Sequence, residues 1–424
     1  MMLLAQLLML GTLILMITGR TPLYLTAILG ATVSALVAGF PLTGKENITI
    51  AKLIIGGMNP VIADMTGVLL FIGVMHATGF LNVIIRDIVR VGNRLGGGPG
   101  ICTAASLAAG GIGALTGFTQ PVITGVVAGP AATKMGVSPN DAAGSIAHAG
   151  HFGNFAGFTH PTQVAVIATA GIGFGMINVY GAIISLSIMA IAFWRMKRRQ
   201  ADGAAKLSDA EMQAALADFA GKDMNTPSWA AFAPFGVLVA GFVCGLPVFL
   251  VGTLAAVSTM LLAKAKPAVA EAAMMEGVQK IAVPLVATIG FLYMSGVIKS
   301  IGIVDDVASL LGPWLSVAPV FIMLLVSALT GLLTQSNAAS AAIIVPFLAI
   351  VLKTGADPMA ASVAALAGSS IMQYFLTGGP VAALSTVIPV IPGSELMAAN
   401  KFQRPNQLFG LAVAFVVVTG LVVL

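Results

Sequence analysis

Charged side chains are scarce in this chain of 424 residues: 20 Lys and Arg and 15 Asp and Glu make up 8% of it, against about 25% in soluble domains. So few charges cannot cover the surface of a soluble protein of this length, which excludes the soluble enzyme classes. Cysteine is nearly absent. Cys102 and Cys244 lie in apolar stretches and support neither a disulfide framework nor a metal cluster. There is no His-Glu-x-x-His spacing and no Gly-x-Ser-x-Gly turn, so no enzyme is expected. The pore-lining charge ring or carbonyl filter of a channel is also missing. The net charge of +5 comes from basic residues set between apolar spans, a pattern of membrane orientation and not of nucleic-acid affinity.

What is abundant is apolar: 58% of the residues are hydrophobic, and the mean hydropathy is +1.01. The expected fold class is an all-α polytopic membrane protein. Apolar stretches long enough to cross a hydrocarbon core of about 30 Å occur near 2–19, 22–40, 53–78, 178–194, 229–246, 247–263, 280–298 and 405–424. The first, Met2–Ile17, lacks a basic leader and a small-residue cleavage site, and reads as a retained helix. Two longer regions, 98–176 and 314–392, are apolar but crowded with Gly, Pro, Ser, Thr, Asn and Gln. Such sequence predicts re-entrant hairpins and discontinuous helices, because irregular backbone at membrane depth survives only where protein or a wet cavity satisfies it.

The longest polar segment, 195–225, opens on Arg195-Met-Lys197-Arg198-Arg199 and is expected to face the cytoplasm. Within it Ser208-Asp-Ala-Glu211 reads as a capping box before a short amphipathic helix. Tracing the spans outward places both termini outside and sixteen of the twenty Lys and Arg inside, leaving Lys45, Lys52, Lys299 and Lys353 outside. The expected location is the inner (cell) membrane, with residues 1–195 as a first repeat, 196–227 as a cytoplasmic linker and 228–424 as a second repeat.

The repeat rests on four coincidences in order. Ala114-Leu-Thr-Gly117 recurs as Ala328-Leu-Thr-Gly331, and Thr119-Gln120 as Thr334-Gln335. Gly136-Val-Ser-Pro139 matches Gly355-Ala-Asp-Pro358, and Pro161 and Pro380 each follow 22 residues later. Ser138 and Asp357 are good N-caps followed by Pro at the first helical position. Before the first copy Arg86, Arg90 and Arg94 share one helix face, whereas the matching segment of the second contains Asp305 and Asp306. A basic interfacial helix belongs inside and an acidic one is tolerated outside. The copies are therefore predicted to be inverted, each with about five transmembrane helices plus a re-entrant hairpin and a discontinuous helix.

These features resemble the ion transporter superfamily of carboxylate carriers over about residues 50–424. The segment His151-Phe-Gly-Asn-Phe-Ala-Gly-Phe-Thr-His160-Pro is similar to the His…His-Pro segment of gluconate permeases. Gln335-Ser-Asn-Ala-Ala-Ser340 is similar to the Ser-Asn hairpin tips of sodium-dicarboxylate carriers and lactate permeases. The length and early layout also resemble the large membrane subunit of tripartite periplasmic (TRAP) transporters. Thr377-Gly-Gly-Pro380 stands where a second Ser-Asn-Thr signature would fall, a departure that bears on sodium coupling. The resemblance implies a homodimeric symporter of small organic anions, driven by Na+ or H+ through elevator-type alternating access. A TRAP-like subunit would additionally need a periplasmic binding protein.

The candidate site lies where four polar breaks meet: Thr116–Pro121, Gly157–Thr162, Thr330–Ala338 and Phe375–Pro380. Helix N-termini after each break offer donors and partial positive charge to a carboxylate, so no buried Arg is needed. The expected substrate-binding residues are Thr119, Gln120, Thr159, His160, Ser336, Asn337, Thr377, Gly378 and Gly379. Expected coupling-ion residues are Asp64, His151, Thr116, Thr330, Ser336 and Asn337. Carbonyls beside Ser336 and Asn337 suit sodium, and a histidine titrating near neutral pH suits a proton. Gly/Pro kinks with back-bonded hydroxyls account for a single break equally well. His148 is read as a neutral, hydrogen-bonded histidine as readily as a functional one. Asp64 sits between coupling and a helix start after Asn59-Pro60, Asp141 and Asp357 are read as capping residues, and His76 receives no role.

Overall fold

A computed structural model describes residues 1–18, 23–56, 60–117, 119, 121–200, 226–244, 246–279, 282–376 and 382–423. The protein is an all-α polytopic membrane protein, and no strand occurs among the described residues. The helices are α1 Met2–Thr18, α2 Leu23–Val37, α3 Ile50–Gly56, α4 Pro60–Ala77 and α5 Phe80–Thr116. They continue as α6 Pro121–Lys134, α7 Pro139–Ala147, α8 Ala149–Phe155, α9 Pro161–Ala170 and α10 Met176–Arg199. Then come α11 Ser228–Val243, α12 Val248–Leu262, α13 Pro267–Gln279, α14 Ala282–Ser300 and α15 Ile303–Leu315. The last are α16 Pro319–Thr334, α17 Asn337–Lys353, α18 Pro358–Met372, α19 Ala382–Val387, a 3₁₀ turn Ile388–Val390, and α20 Leu396–Val423.

Proline punctuates this order. It opens α4, α6, α7, α9, α13, α16 and α18, where its missing N–H is no loss and its fixed φ already suits a helix. Ser138 and Asp357 cap α7 and α18 as the sequence predicts. Their side chains accept from Asp141 N–H at 3.1 Å and Ala360 N–H at 2.7 Å.

The region before the first hairpin differs from expectation. Phe80–Thr116 is one helical run broken at Gly97, whose φ of 58° and ψ of −134° reverse the chain. Gly92 and Gly100 then touch backbone to backbone: a Cβ on Gly100 would lie 2.0 Å from the Gly92 carbonyl oxygen. Arg86 does not share an exposed basic face with Arg90 and Arg94. It is buried, 6% exposed, and its Nε donates to Asp87 at 2.8 Å. The adjacent carboxylate explains the burial, since a charge leaves water only when paired. The basic cluster Arg195–Arg199 forms the last turns of α10 and does not open the linker. The capping box at Ser208 and its amphipathic helix fall outside the described residues.

Small residues let helices close on one another without lipid between them. A Cβ on Gly252 of α12 would lie 2.3 Å from the Gly67 carbonyl oxygen of α4, and one on Gly73 of α4 would lie 2.1 Å from the Ala273 carbonyl oxygen of α13. α4, α12 and α13 thereby form one tight group.

The elements after Gly97 recur after Pro319 in the same order. Residues 98–116 with α6 form a helical hairpin, as do α16 and α17; α7–α8 then α9, and α18 then α19, are interrupted helices; α10 and α20 close each series. α10 and α20 run antiparallel, with Ile188 packed at Gly410 and Arg195 Nη1 donating to the Phe402 carbonyl at 2.6 Å. The two series also exchange parts. α9 packs on α17 and α18 of the later series, while α19 packs on α6 and α7 of the earlier one.

The second hairpin tip is narrower than expected. α16 continues through Thr330 and Gly331 to Thr334, and the chain breaks only at Gln335 (φ 49°) and Ser336. Gly331 is helical and lies against the Ser369 backbone, 2.7 Å from a notional Cβ. Its sequence counterpart Gly117 instead terminates its helix at φ 73°. The interrupted helix of the first series tightens at His148, between α7 and α8, where the backbone stays right-handed and bonds i to i−3.

Candidate functional site

The site forms where α9 and α17 begin. Pro161 opens α9 with His160 in extended conformation as its N-cap, and Asn337 opens α17 behind the N-cap Ser336. Ser336 Oγ accepts from Ala339 N–H at 3.2 Å. Thr162 Oγ1 donates to the Asn337 carbonyl at 2.8 Å, so both N-termini meet at one point. Each N-terminus carries about half a positive charge. His160, Asn337 and Thr159 are all buried, at 9%, 3% and 0% exposure.

Asn337 ties four segments together. Its N–H donates to Gln373 Oε1 at 2.9 Å, and its Oδ1 accepts from Ser369 Oγ at 2.9 Å. That acceptor role turns Nδ2 toward His160 Nδ1, 3.4 Å away. His160 therefore accepts at Nδ1 and carries its proton on Nε2. Ser369 is itself positioned by Ser327, whose hydroxyl accepts the Ser369 N–H at 2.8 Å.

The carbonyls considered for sodium are already engaged. The Ser336 carbonyl accepts from Ser340 Oγ at 2.8 Å and Thr334 Oγ1 at 3.1 Å, and the Asn337 carbonyl accepts from Thr162. At the first interrupted helix, Gln163 Nε2 donates to the Phe155 carbonyl at 2.9 Å, and Asn178 Nδ2 caps the carbonyls of Ala156 and Gly157. No cluster of His, Cys, Asp or Glu suited to a metal ion occurs among the described residues.

The first hairpin tip reaches the same region. Gly117 lies against Thr159, whose carbonyl oxygen is 3.0 Å from a notional Cβ. Phe158 N–H donates to the Ala114 carbonyl at 2.7 Å. The Thr119 hydroxyl sits between Gly113 and Gly153, so close that a Cβ on either would strike it. The buried polar atoms Thr119 Oγ1, Thr159 Oγ1 and Gln163 Oε1 find no hydrogen-bond partner among the described residues. Such atoms call for a partner, an ordered water or a bound polar group.

A second polar group lies nearby on α8, α18 and α20. His151 Nδ1 lies 3.0 Å from the Ser370 carbonyl, and its ring stands edge-on to Tyr374. Tyr374 Oη accepts from Asn154 Nδ2 at 3.0 Å. His148 and His151 have ring centroids 5.3 Å apart. Arg195 donates to Asn406 Oδ1, which directs Asn406 Nδ2 into His148 Nε2 at 2.9 Å. His148 is thus held by a side-chain amide and not by a backbone carbonyl.

The structure therefore brings Thr119, Thr159, His160, Ser336 and Asn337 into adjoining turns, with His151 on the neighbouring α8. Thr330 lies inside α16, where its hydroxyl donates to its own helix at the Val326 carbonyl, 2.7 Å. Thr116 ends α5 and Asp64 lies in the first turns of α4, but their side chains fall outside what the structure describes, as do Gln120, Thr377, Gly378 and Gly379. Ser369, Gln373 and Asn406 were not anticipated. Their signal was available: polar residues in or next to mostly apolar stretches, with Ser369 and Gln373 spaced i, i+4.

No protein-family model matches the chain, and no curated protein matches it in sequence. Solved structures match it in fold. The YdaH transporter of Alcanivorax borkumensis, reported with an unusual topology, is 16% identical, with 98% of this chain and 97% of that chain covered and a TM-score of 0.54. MtrF of Neisseria gonorrhoeae, from a class of antimetabolite efflux pumps, is 12% identical, with 94% and 95% covered and a TM-score of 0.64. The chain shares the fold of these membrane transporters over nearly its whole length.

Proposed function

We propose that the protein is a secondary active carrier of small organic anions, a mono- or dicarboxylate or sugar acid, in the inner membrane. The observation that carries this reading is the meeting of the α9 and α17 N-termini through Thr162 and Asn337. Two helix dipoles and the donors of His160 and Asn337 suit a carboxylate without a buried cation. The two helical series act as inverted repeats, a reading supported by their identical order and by the antiparallel α10 and α20. The fold shared with two transporters supports the same class.

Proton coupling is favoured over sodium. The carbonyls beside Ser336 and Asn337 already accept hydrogen bonds, whereas His160 and His151 sit at the site with chemistry suited to a proton. Alternating access follows an elevator path, with the hairpins and interrupted helices moving against α4, α12 and α13 in a homodimer.

The test is counterflow in liposomes holding the purified chain alone, after a thermal-shift screen of carboxylates at two pH values with and without sodium. Saturable, pH-dependent exchange is expected. Flux that does not saturate and carries no countertransport points to a channel and defeats the reading. Activity appearing only with an added soluble binding protein assigns the chain to a tripartite system.

A further inference from the structure

The reversal at Gly97 opens a wedge. From the Gly92–Gly100 contact the segments 80–96 and 98–116 run back along one another, and Leu81, Ile88, Leu107 and Leu115 of the two line one cavity. Two cavities fill it, of about 960 Å³ and 900 Å³, sharing Ile88, Leu107 and Phe232 as a common wall. Both are mostly apolar, but charged side chains line only the first.

The first is a mouth whose mostly apolar wall carries Arg90, Arg94, Lys197 and Ser228, together with Asp87. The Asp87 carboxylate already accepts from Arg86 at 2.8 Å and lies 4.0 Å from Arg90, so the mouth keeps a cationic excess. The second is an apolar trough with Asn178 as a polar side chain in its wall. Asn178 is fully engaged there: it donates to the Ala156 and Gly157 carbonyls and accepts from Gly175 N–H at 2.8 Å. Trp194 and Trp229, 46% and 65% exposed, adjoin the mouth residues Phe193 and Ser228. Exposed Trp marks the headgroup level of a bilayer, so the mouth opens at that level and the trough runs inward.

We infer that this wedge holds an anionic phospholipid, its phosphate among Arg90, Arg94 and Lys197 and its acyl chains along the trough. Cationic groups beside a continuous hydrocarbon wall match the two ends of such a molecule. A second protein copy would leave the mouth charges unanswered, and a free anion would make no use of the trough.

Native mass spectrometry of the protein taken from bilayers of equal phosphatidylglycerol and phosphatidylcholine tests this. Wild type should retain phosphatidylglycerol about tenfold more than phosphatidylcholine. Arg90→Gln/Lys197→Gln should abolish that preference. Gly111→Leu projects a side chain into the trough from a position where nothing lies within 4 Å of a Cβ, and should release the lipid with the mouth intact. Equal retention of both lipids by wild type, or unchanged retention in Gly111→Leu, overturns the assignment even if the double variant fails to fold. Thermal stabilisation by inorganic phosphate equal to that by phosphatidylglycerol, or a dimer interface covering the wedge, also overturns it.

Discussion

The Thr162 hydroxyl donates to the Asn337 carbonyl oxygen at 2.8 Å across 175 residues of sequence. That bond joins the first turn of α9 to the first turn of α17. It also adds a side-chain donor to a carbonyl in the first turn of α17.

Asn337→Ala removes the acceptor for Ser369 Oγ and the donor facing His160 while leaving the backbone bonds to Thr162 and Gln373. The Ser369 hydroxyl and a buried imidazole then each lose a partner, at a cost of roughly 1–3 kcal/mol. The expected outcome is normal membrane insertion, a lower unfolding temperature, and at least a tenfold weaker solute affinity, about 1.4 kcal/mol. Uptake with an unchanged KM would remove Asn337 from the site.

His160→Ala takes from the junction of α9 and α17 an imidazole that could accept the coupling proton. Uptake by wild type should rise as the outside is acidified, following the inward proton gradient. In the variant this dependence should flatten, whereas His160→Gln preserves hydrogen bonding and should restore stability without restoring pH dependence. Initial rates at a series of external pH values check this. An identical pH profile in all three proteins assigns the coupling elsewhere.

Gly252→Ala forces a methyl group to within 2.3 Å of the Gly67 carbonyl, where backbone cannot swing away. Overpacking of that kind costs about 1–3 kcal/mol. Gly312→Ala on α15 meets nothing within 4 Å and should be neutral or stabilising by about 0.5–1 kcal/mol, since alanine favours helix over glycine. Thermal unfolding in detergent distinguishes them, and equal midpoints would contradict the packing of α4 on α12.

Local rules were legible wherever one residue and its near neighbours suffice. Ser138-Pro139, Asp357-Pro358 and Pro161 announce helix starts because capping and a fixed φ act within one turn. The cluster of His160 with Asn337 was legible as two polar breaks, though not as a contact. The fate of Thr330 was misread because its motif matches Thr116 in sequence, while Gly331 behind it stays helical and packs on Ser369 of α18. Arg86 was misread because its burial depends on pairing with Asp87, not on its place in a row of arginines. Asn406 has meaning only through Arg195 and His148, which lie 211 and 258 residues away.

The sequence by itself determined that the chain lives in a bilayer, where its helices begin, and which polar residues interrupt them. These follow from hydrophobicity and backbone sterics, which act over a few residues. The tertiary structure alone decided which interruptions meet and which hydroxyls are committed to their own helices. It also decided that the chain reverses at Gly97, because hydrogen bonds and glycine-to-backbone contacts between distant segments depend on how helices close on one another.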